Sequence, residues 1–283
     1  MLRSMSSIVF IADYFSNEIP GGGELNNEEL INILSGLGYE VEKKNCHLVN
    51  EEYITKNSNS WFIISNFINL SEQVKTLLQN KKYIIYEHDH KYLRSRNPAL
   101  YDNYHAPPSE IINFDFYKSA LAVICQSKFH EEIVEKNLEL NNITNVGGNL
   151  WESDVLDFLE EISKKEKKSV YSIMNSNISH KNTSDAVNYC KFKNLEFELI
   201  PTLQYRDFLE RLGANKFLIF LPKTPETLSR IAVEARMMGM SVVANKNLGA
   251  SKEEWFSLKG SELINVMRNK RSEIPKKILD VFR

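Results

Sequence analysis

A chain of 283 residues, 42% hydrophobic and 25% charged, has the make-up of a folded globular protein and is long enough for two domains of ordinary size. Its formal net charge of -2 leaves no basic footprint for nucleic acid or for an anionic membrane. Three cysteines, Cys46, Cys125 and Cys190, are too scattered and too odd in number for a disulfide framework or a metal cluster, so a cytoplasmic location is expected.

Taken in order, the chain alternates apolar runs with amphipathic ones. One Arg precedes residues 7–12, an apolar segment too short for a signal peptide or a membrane span and suited to a first strand covered on both faces. Gly21, Gly22 and Gly23 follow, then a helix expected over 24–35 with Leu25, Leu30, Ile33 and Leu34 as its apolar stripe. Gly36 and Gly38 end that helix, and 39–42 starts the second strand. A glycine-rich turn between strand and helix is where an α/β protein presents backbone N–H groups to a phosphate. It matches neither the Rossmann fingerprint nor a P-loop, and a plain flexible loop fits it as well.

Strands are expected at 61–65 and 82–86, with a helix over 71–78 between them. Directly after the second of these comes Glu87-His88-Asp89-His90-Lys91, then Arg94 and Arg96, the densest run of ionisable groups in the chain. His88, Asp89 and His90 are metal-ligand types, but neighbours on an extended chain point to opposite sides, and structural zinc wants Cys or helically spaced His. No metal site is expected. A solvated loop and a functional loop both remain. Residues 101–108 read as loop, 109–117 as a helix capped by Ser109, 121–125 as a fifth strand and 128–137 as a helix. A helix over 153–162 and the charged run 163–168 read as a linker.

A second α/β domain opens with a strand at 169–174. A loop over 175–182 leads to a helix at 184–192, a strand at 196–200 and a helix at 205–212 ended by Gly213. The apolar run Phe217 to Leu221 is the next strand. Pro222 and Pro225 break the backbone, and a helix is expected from Glu226 to Met238, stopped by Gly239. A strand at 241–244 completes a βαβ unit with parallel neighbouring strands. Glu226 and Glu234 would then share one helical face, being slightly more than two turns apart. Spacing alone favours a plain account, with Glu226 complementing the helix dipole and Glu234 solvated. Short helices are expected at 253–256 and 261–267, and a closing helix at 274–282.

The stretch Glu226, Glu234, Ala235, Gly239, Val242, Val243, Ala244 resembles the E-x7-E donor-binding signature of retaining GT-B glycosyltransferases, the group 1 or family 4 type, with Ser241 where the family has Pro. Gly22, Gly23 and Glu24 resemble a shortened form of its Gly-Gly-x-Glu loop, and Lys181-Asn182 the second half of its G-R-x-x-x-x-K-G loop. The Arg of that loop is missing, since 174–177 holds only Met, Asn and Ser. The order of elements at 109–137 also resembles the end of the family's first domain.

The resemblance implies two Rossmann-like α/β domains with parallel sheets facing across a cleft. An acceptor domain over 1–150 and a linker over 151–168 would precede a donor domain over 169–270 and a C-terminal helix over 271–283. It implies transfer of a sugar from a nucleotide-diphosphate sugar to a hydroxyl of a glycan, lipid or small-molecule acceptor, with retention and with neither metal nor cofactor. Glu234 would hold the ribose and Glu226 the sugar hydroxyls. Main-chain N–H groups of Thr227 and Leu228, with Gly22 and Gly23, would approach phosphate. Lys181 would pair with the diphosphate, and the catalytic group would be completed by Asp89 and either His88 or His90. Two rivals are a catalytically degenerate nucleotide-sugar binder, favoured by the missing Arg, and a nucleotide-sugar epimerase of the same fold.

Overall fold

The structure is a computed structural model and describes residues 7–283; the Arg ahead of the first strand, Arg3, lies outside the described residues. The chain forms two compact units, one of residues up to Leu150 joined by Lys270–Arg283, the other Trp151–Asn269.

The first unit runs β1 (Ile8–Ala12), α1 (Gly22–Gly36), β2 (Val41–Asn45), α2 (Glu51–Lys56), β3 (Trp61–Ile64), α3 (Glu72–Leu78) and β4 (Tyr83–Tyr86). It continues with α4 (Phe114–Ser119), β5 (Val123–Cys125), α5 (Lys128–Leu138) and β6 (Ile143–Asn145). The six strands are all parallel in the order β2-β1-β3-β4-β5-β6. Strand side chains alternate between faces, and here both faces are buried, which is why β1 and β4 read as unbroken apolar runs. Ile8, Phe10, Ile84 and Tyr86 pack with Leu30 and Leu34 of α1. Val9, Ile11, Tyr83 and Ile85 pack on the other face with Val74, Phe116 and Val134.

The second unit runs α6 (Ser153–Lys164), β7 (Lys168–Met174), α7 (Thr183–Phe192), β8 (Phe197–Ile200), α8 (Tyr205–Gly213), β9 (Asn215–Phe220), α9 (Arg230–Met237) and β10 (Ser241–Ala244). Its four parallel strands lie in the order β10-β9-β7-β8. Helix α10 (Gly260–Phe282) closes the chain. Its first ten residues belong to the second unit and the rest to the first, where Ile274, Ile278, Leu279 and Phe282 enter the core and Phe282 stacks on Trp61 at 4.9 Å.

Several elements differ from the expectation, each for a local reason. The residues expected as a linker begin with α6, whose Val155, Leu156, Leu159 and Ile162 are part of the second unit's core, so this helix is a structural member of that unit. Helix α1 starts at Gly22, two residues early, because Gly21 takes the extended N-cap conformation. The helix expected over 109–117 is split: Asn113 adopts a left-handed conformation (φ 58°), and α4 starts only at Phe114. Helix α2 was not expected; Asn50 caps it by accepting from the Tyr53 N–H at 2.8 Å. The two closing helices are one, running through Pro275, which forgoes the hydrogen bond to the carbonyl of Arg271.

The largest difference concerns α9, which begins at Arg230 and not at Glu226. Residues 222–229 are irregular, Ser229 stands at φ 81°, and Glu226 forms a parallel bridge to Leu248. Glu226 is therefore neither in the first turn of the helix nor on a common helical face with Glu234.

Candidate functional site

In open parallel sheets a ligand crevice forms beyond the carboxyl ends of the strands where the strand order reverses. In the second unit that point lies between β7 and β9, since the chain leaves β7 to one side for β8 and returns on the other for β9. The loops that follow these strands bring Lys181 and Glu226 together. Lys181 Nζ lies 2.8 Å from Glu226 Oε1, with the side chains 25% and 15% exposed, and the ammonium also sits over the Phe220 ring. Residues of two separate sequence motifs thus form one ion pair.

The segment carrying Glu226 is held by main-chain bonds. Glu226 N–H donates to Asn247 O at 2.8 Å, Gly249 N–H to Glu226 O at 3.0 Å and Ala250 N–H to Leu228 O at 2.9 Å. Gly249 lies beneath it, where an added Cβ would stand 2.5 Å from Thr227 O and nearer still to Glu226 O. The Leu228 side chain is in the core, so any role it has toward a ligand falls to its main chain; Thr227 is half-buried. Next comes Ser229, buried, with an Oγ that makes no hydrogen bond among the described residues, at the N-terminus of α9. A helix N-terminus carries partial positive charge and favours an anion.

Glu234 is 3% exposed. Its Oε1 accepts from Trp151 Nε1 at 2.9 Å and from Tyr205 Oη at 2.6 Å, and stands 3.4 Å from Arg230 Nε. Arg230 also lies over the Trp151 indole at 4.4 Å. Burial, followed by the Glu234 charge, pushes the Tyr205 phenol up from its usual range, so this hydroxyl acts as a donor at neutral pH. One carboxylate oxygen of Glu234 is therefore committed to fixing the start of the second unit to α8 and α9.

In the first unit the reversal lies between β1 and β3. Gly22 and Gly23 form the first turn of α1 there, not a loop. Glu24 in that turn accepts from Asn66 Nδ2 at 3.1 Å, and burial raises its carboxyl above the ordinary value. Gly23 packs against His88, with an added Cβ at 3.5 Å from the ring.

The run after β4 is divided by its packing. His88 is half-buried and meets Asn27, Nε2 to Oδ1 2.7 Å. His90 turns inward, 1% exposed, against Tyr92 Oη at 3.0 Å and edge-on to His130. Asp89 accepts from the His90 N–H at 2.7 Å and pairs with Arg96 at 3.2 Å. Beneath them Glu87, fully buried, is bonded by Lys91 and Tyr117; burial raises the Glu87 carboxyl, against the pull of Lys91. Of the four residues expected to act in catalysis, His88 and Glu226 stand at strand-end loops with partly open side chains, while His90 and Asp89 are engaged in holding the loop. Among the described residues no group of three or more His, Cys, Asp and Glu is placed to hold a metal ion.

Asn26, Asn27, Trp151, Tyr205, Ser229 and Gly249 escape a reading of the sequence. The only signal in the sequence is Asn26-Asn27, two amides set among the apolar positions of α1. Both are fully buried.

No family model matches the chain, and no curated protein matches it either. Solved structures do. HepE of Anabaena, solved with UDP and glucose, is 13% identical and superposes with a TM-score of 0.55 over 98% of this chain and 94% of its own. A glycosyltransferase of Rickettsia africae gives 12% identity and a TM-score of 0.55 over 99% and 93%. An α-glucosyltransferase in complex with UDP and a 13-mer DNA gives 13% and 0.53 over 98% and 99%. The chain has the GT-B fold. Two parallel Rossmann-like sheets, of six and four strands, are the form this fold takes here.

Proposed function

We propose that this GT-B protein is a glycosyltransferase that moves a sugar from a nucleotide-diphosphate sugar to an acceptor hydroxyl, with retention and without a metal ion. The observation that carries the reading is the Lys181–Glu226 ion pair at the strand-order reversal of the second unit, on the same segment that leads to Ser229 at the α9 N-terminus, whose buried hydroxyl makes no hydrogen bond among the described residues. A leaving diphosphate needs its charge met by groups already in place. Lys181, the helix N-terminus and main-chain N–H groups around Thr227 and Leu228 meet that need. Glu226 orients the Lys181 ammonium and accepts from sugar hydroxyls. Glu234 has its second carboxylate oxygen for the ribose, the first being held by Trp151 and Tyr205. Within the first unit, His88 at the end of β4 is the residue suited to hydrogen-bond a sugar hydroxyl. Acceptor and leaving phosphate share one face of the sugar, so no side chain forms a covalent intermediate. Structural likeness to transferases solved with UDP supports a uridine donor. Three buried free thiols support a reducing, cytoplasmic setting. No described helix is long and apolar enough to cross a membrane.

A second reading, binding of a nucleotide sugar without transfer, is favoured by one fact: the loop's remaining cation, Lys181, is already paired with Glu226. The two are separated by incubating purified protein with UDP-sugars in the presence of a chelator and following donor hydrolysis or transfer. Transfer with product of unchanged anomeric configuration is expected. Lys181→Ala removes one charge-assisted hydrogen bond, worth about 1.5–3 kcal/mol, and is expected to weaken donor binding at least tenfold. Binding with neither hydrolysis nor transfer across acceptors would favour the second reading, and an unchanged affinity in Lys181→Ala would remove Lys181 from the site.

A further inference from the structure

Helix α1 carries two consecutive asparagines that are fully buried, a costly choice unless each amide is satisfied. Asn26 donates from Nδ2 to Tyr86 Oη at 2.8 Å and accepts the Leu150 N–H at 2.8 Å. It ties α1 to the end of β4 and to the segment after β6. Asn27 is arranged otherwise. Its Nδ2 donates to Ser65 Oγ at 2.8 Å, at the end of β3, and its Oδ1 lies 2.7 Å from His88 Nε2. Ser65 is itself fully buried, so the amide is anchored on its far side by a group that cannot drift into solvent.

An amide has one donating and one accepting end. With the NH2 committed to Ser65, only the carbonyl remains for His88, and a carbonyl cannot donate. The imidazole nitrogen facing it must therefore carry the proton. We propose that Asn27 is a positioning residue which holds neutral His88 in its Nε2–H tautomer, so that Nδ1 is the lone-pair nitrogen. Tyr86, edge-on to the His88 ring at 4.8 Å, and Gly23, where an added Cβ would stand 3.5 Å from that ring, pack against the imidazole and limit its rotation. In that tautomer the neutral ring has an accepting and not a donating nitrogen at Nδ1. Its use toward a sugar hydroxyl rests on the role given to His88 above; the tautomer itself does not.

The experiment is a 15N–1H correlation spectrum of the intact 283-residue chain with 15N-labelled histidine at a pH where the ring is neutral, assigned by His88→Gln. The wild type is expected to show His88 with a protonated Nε2 and a Nδ1 at the shift of an unprotonated nitrogen. Asn27→Leu is expected to lose that fixed pattern, and Ser65→Ala, which releases the far end of the amide, to move toward it. Asn27→Asp, whose carboxylate can only accept, is expected to keep Nε2 protonated. A wild-type His88 with its proton on Nδ1 would mean that the amide is turned the other way, with Ser65 donating, and would overturn the inference. So would an Asn27→Leu spectrum identical to wild type. In turnover, Asn27→Leu is expected to lower kcat about tenfold with less than a twofold change in donor KM, and Asn27→Asp to restore part of it. If the spectra are as expected but the protein transfers no sugar, the transferase reading fails and the tautomer assignment stands. Should Asn27→Leu not fold, Ser65→Ala and Asn27→Asp decide the question between them.

Discussion

Replacing Gly249 with alanine tests the architecture of the candidate donor loop directly. Gly249 is not among the glycines with positive φ, so its backbone suits any residue, and what forbids a side chain is space. The methyl carbon would stand 2.5 Å from Thr227 O and 2.7 Å from Thr227 C, and closer to Glu226 O. These are backbone atoms in a segment pinned by three main-chain bonds, so no rotamer change relieves the clash. Overpacking of this kind costs about 1–3 kcal/mol. For a unit of 119 residues, Trp151 to Asn269, each kcal/mol corresponds to roughly 4 °C, so a fall in Tm of about 4–12 °C is expected. The alternative is that residues 226–228 shift outward, which spares stability but separates Glu226 from Lys181. Thermal unfolding with and without a UDP-sugar reads both outcomes. A donor at a hundred times its Kd stabilises the wild type by about 2.7 kcal/mol, and the variant should lose Tm, or that ligand-induced gain, or part of each. A Gly249→Ala protein that matches the wild type in both would refute the reasoning.

Two further expectations concern the first unit. Glu87→Gln leaves the Lys91 ammonium, 2% exposed, without its counter-charge, and removing one partner of a buried pair costs about 3–5 kcal/mol; urea unfolding should show the loss, and a value under 1 kcal/mol would contradict it. His130 is buried with Nδ1 accepting the Gln126 N–H, and burial, then the neighbouring His90 and Lys91, hold its pKa well below 6.5. A depressed folded-state pKa means that its stabilisation is present above the unfolded value and is lost as pH falls below about 6.5, with a slope near 1.4 kcal/mol per pH unit. His130→Asn keeps an acceptor for Gln126 and should flatten that slope between pH 6.5 and 5; an unchanged slope would assign the acid sensitivity elsewhere.

How far the sequence could be read depended on whether a residue's environment is set locally. β1, β3, β4 and β5 announce themselves because both their faces are buried, and the second unit's βαβ unit is framed by prolines and Gly239. The start of α9 does not, because it depends on Ser229 adopting φ 81° and on Glu226 bridging Leu248, 22 residues away. That single long-range contact turned an expected helix face into a loop and brought Glu226 to Lys181. Likewise His88 and His90 are equivalent in sequence, and only packing against Tyr92 and His130, or against Asn27, distinguishes them. The commitment of one oxygen of Glu234 to Trp151 and Tyr205 joins residues 83 and 29 positions away, and no motif encodes it.

Helix α10 also sets the order in which the molecule can be completed at the ribosome. The first unit needs Ile274, Ile278, Leu279 and Phe282 from the end of the chain, yet its other residues end at Leu150. The 133 residues from 151 to 283 must be synthesised first, which at ~5–20 residues per second takes roughly 7–27 s. Throughout that interval Trp61, with Tyr39 but not Phe282 against it, and the apolar face it borders lack the cover of α10 in the nascent chain, while the second unit, continuous from Trp151 to Asn269, can close on itself before the earlier one is finished.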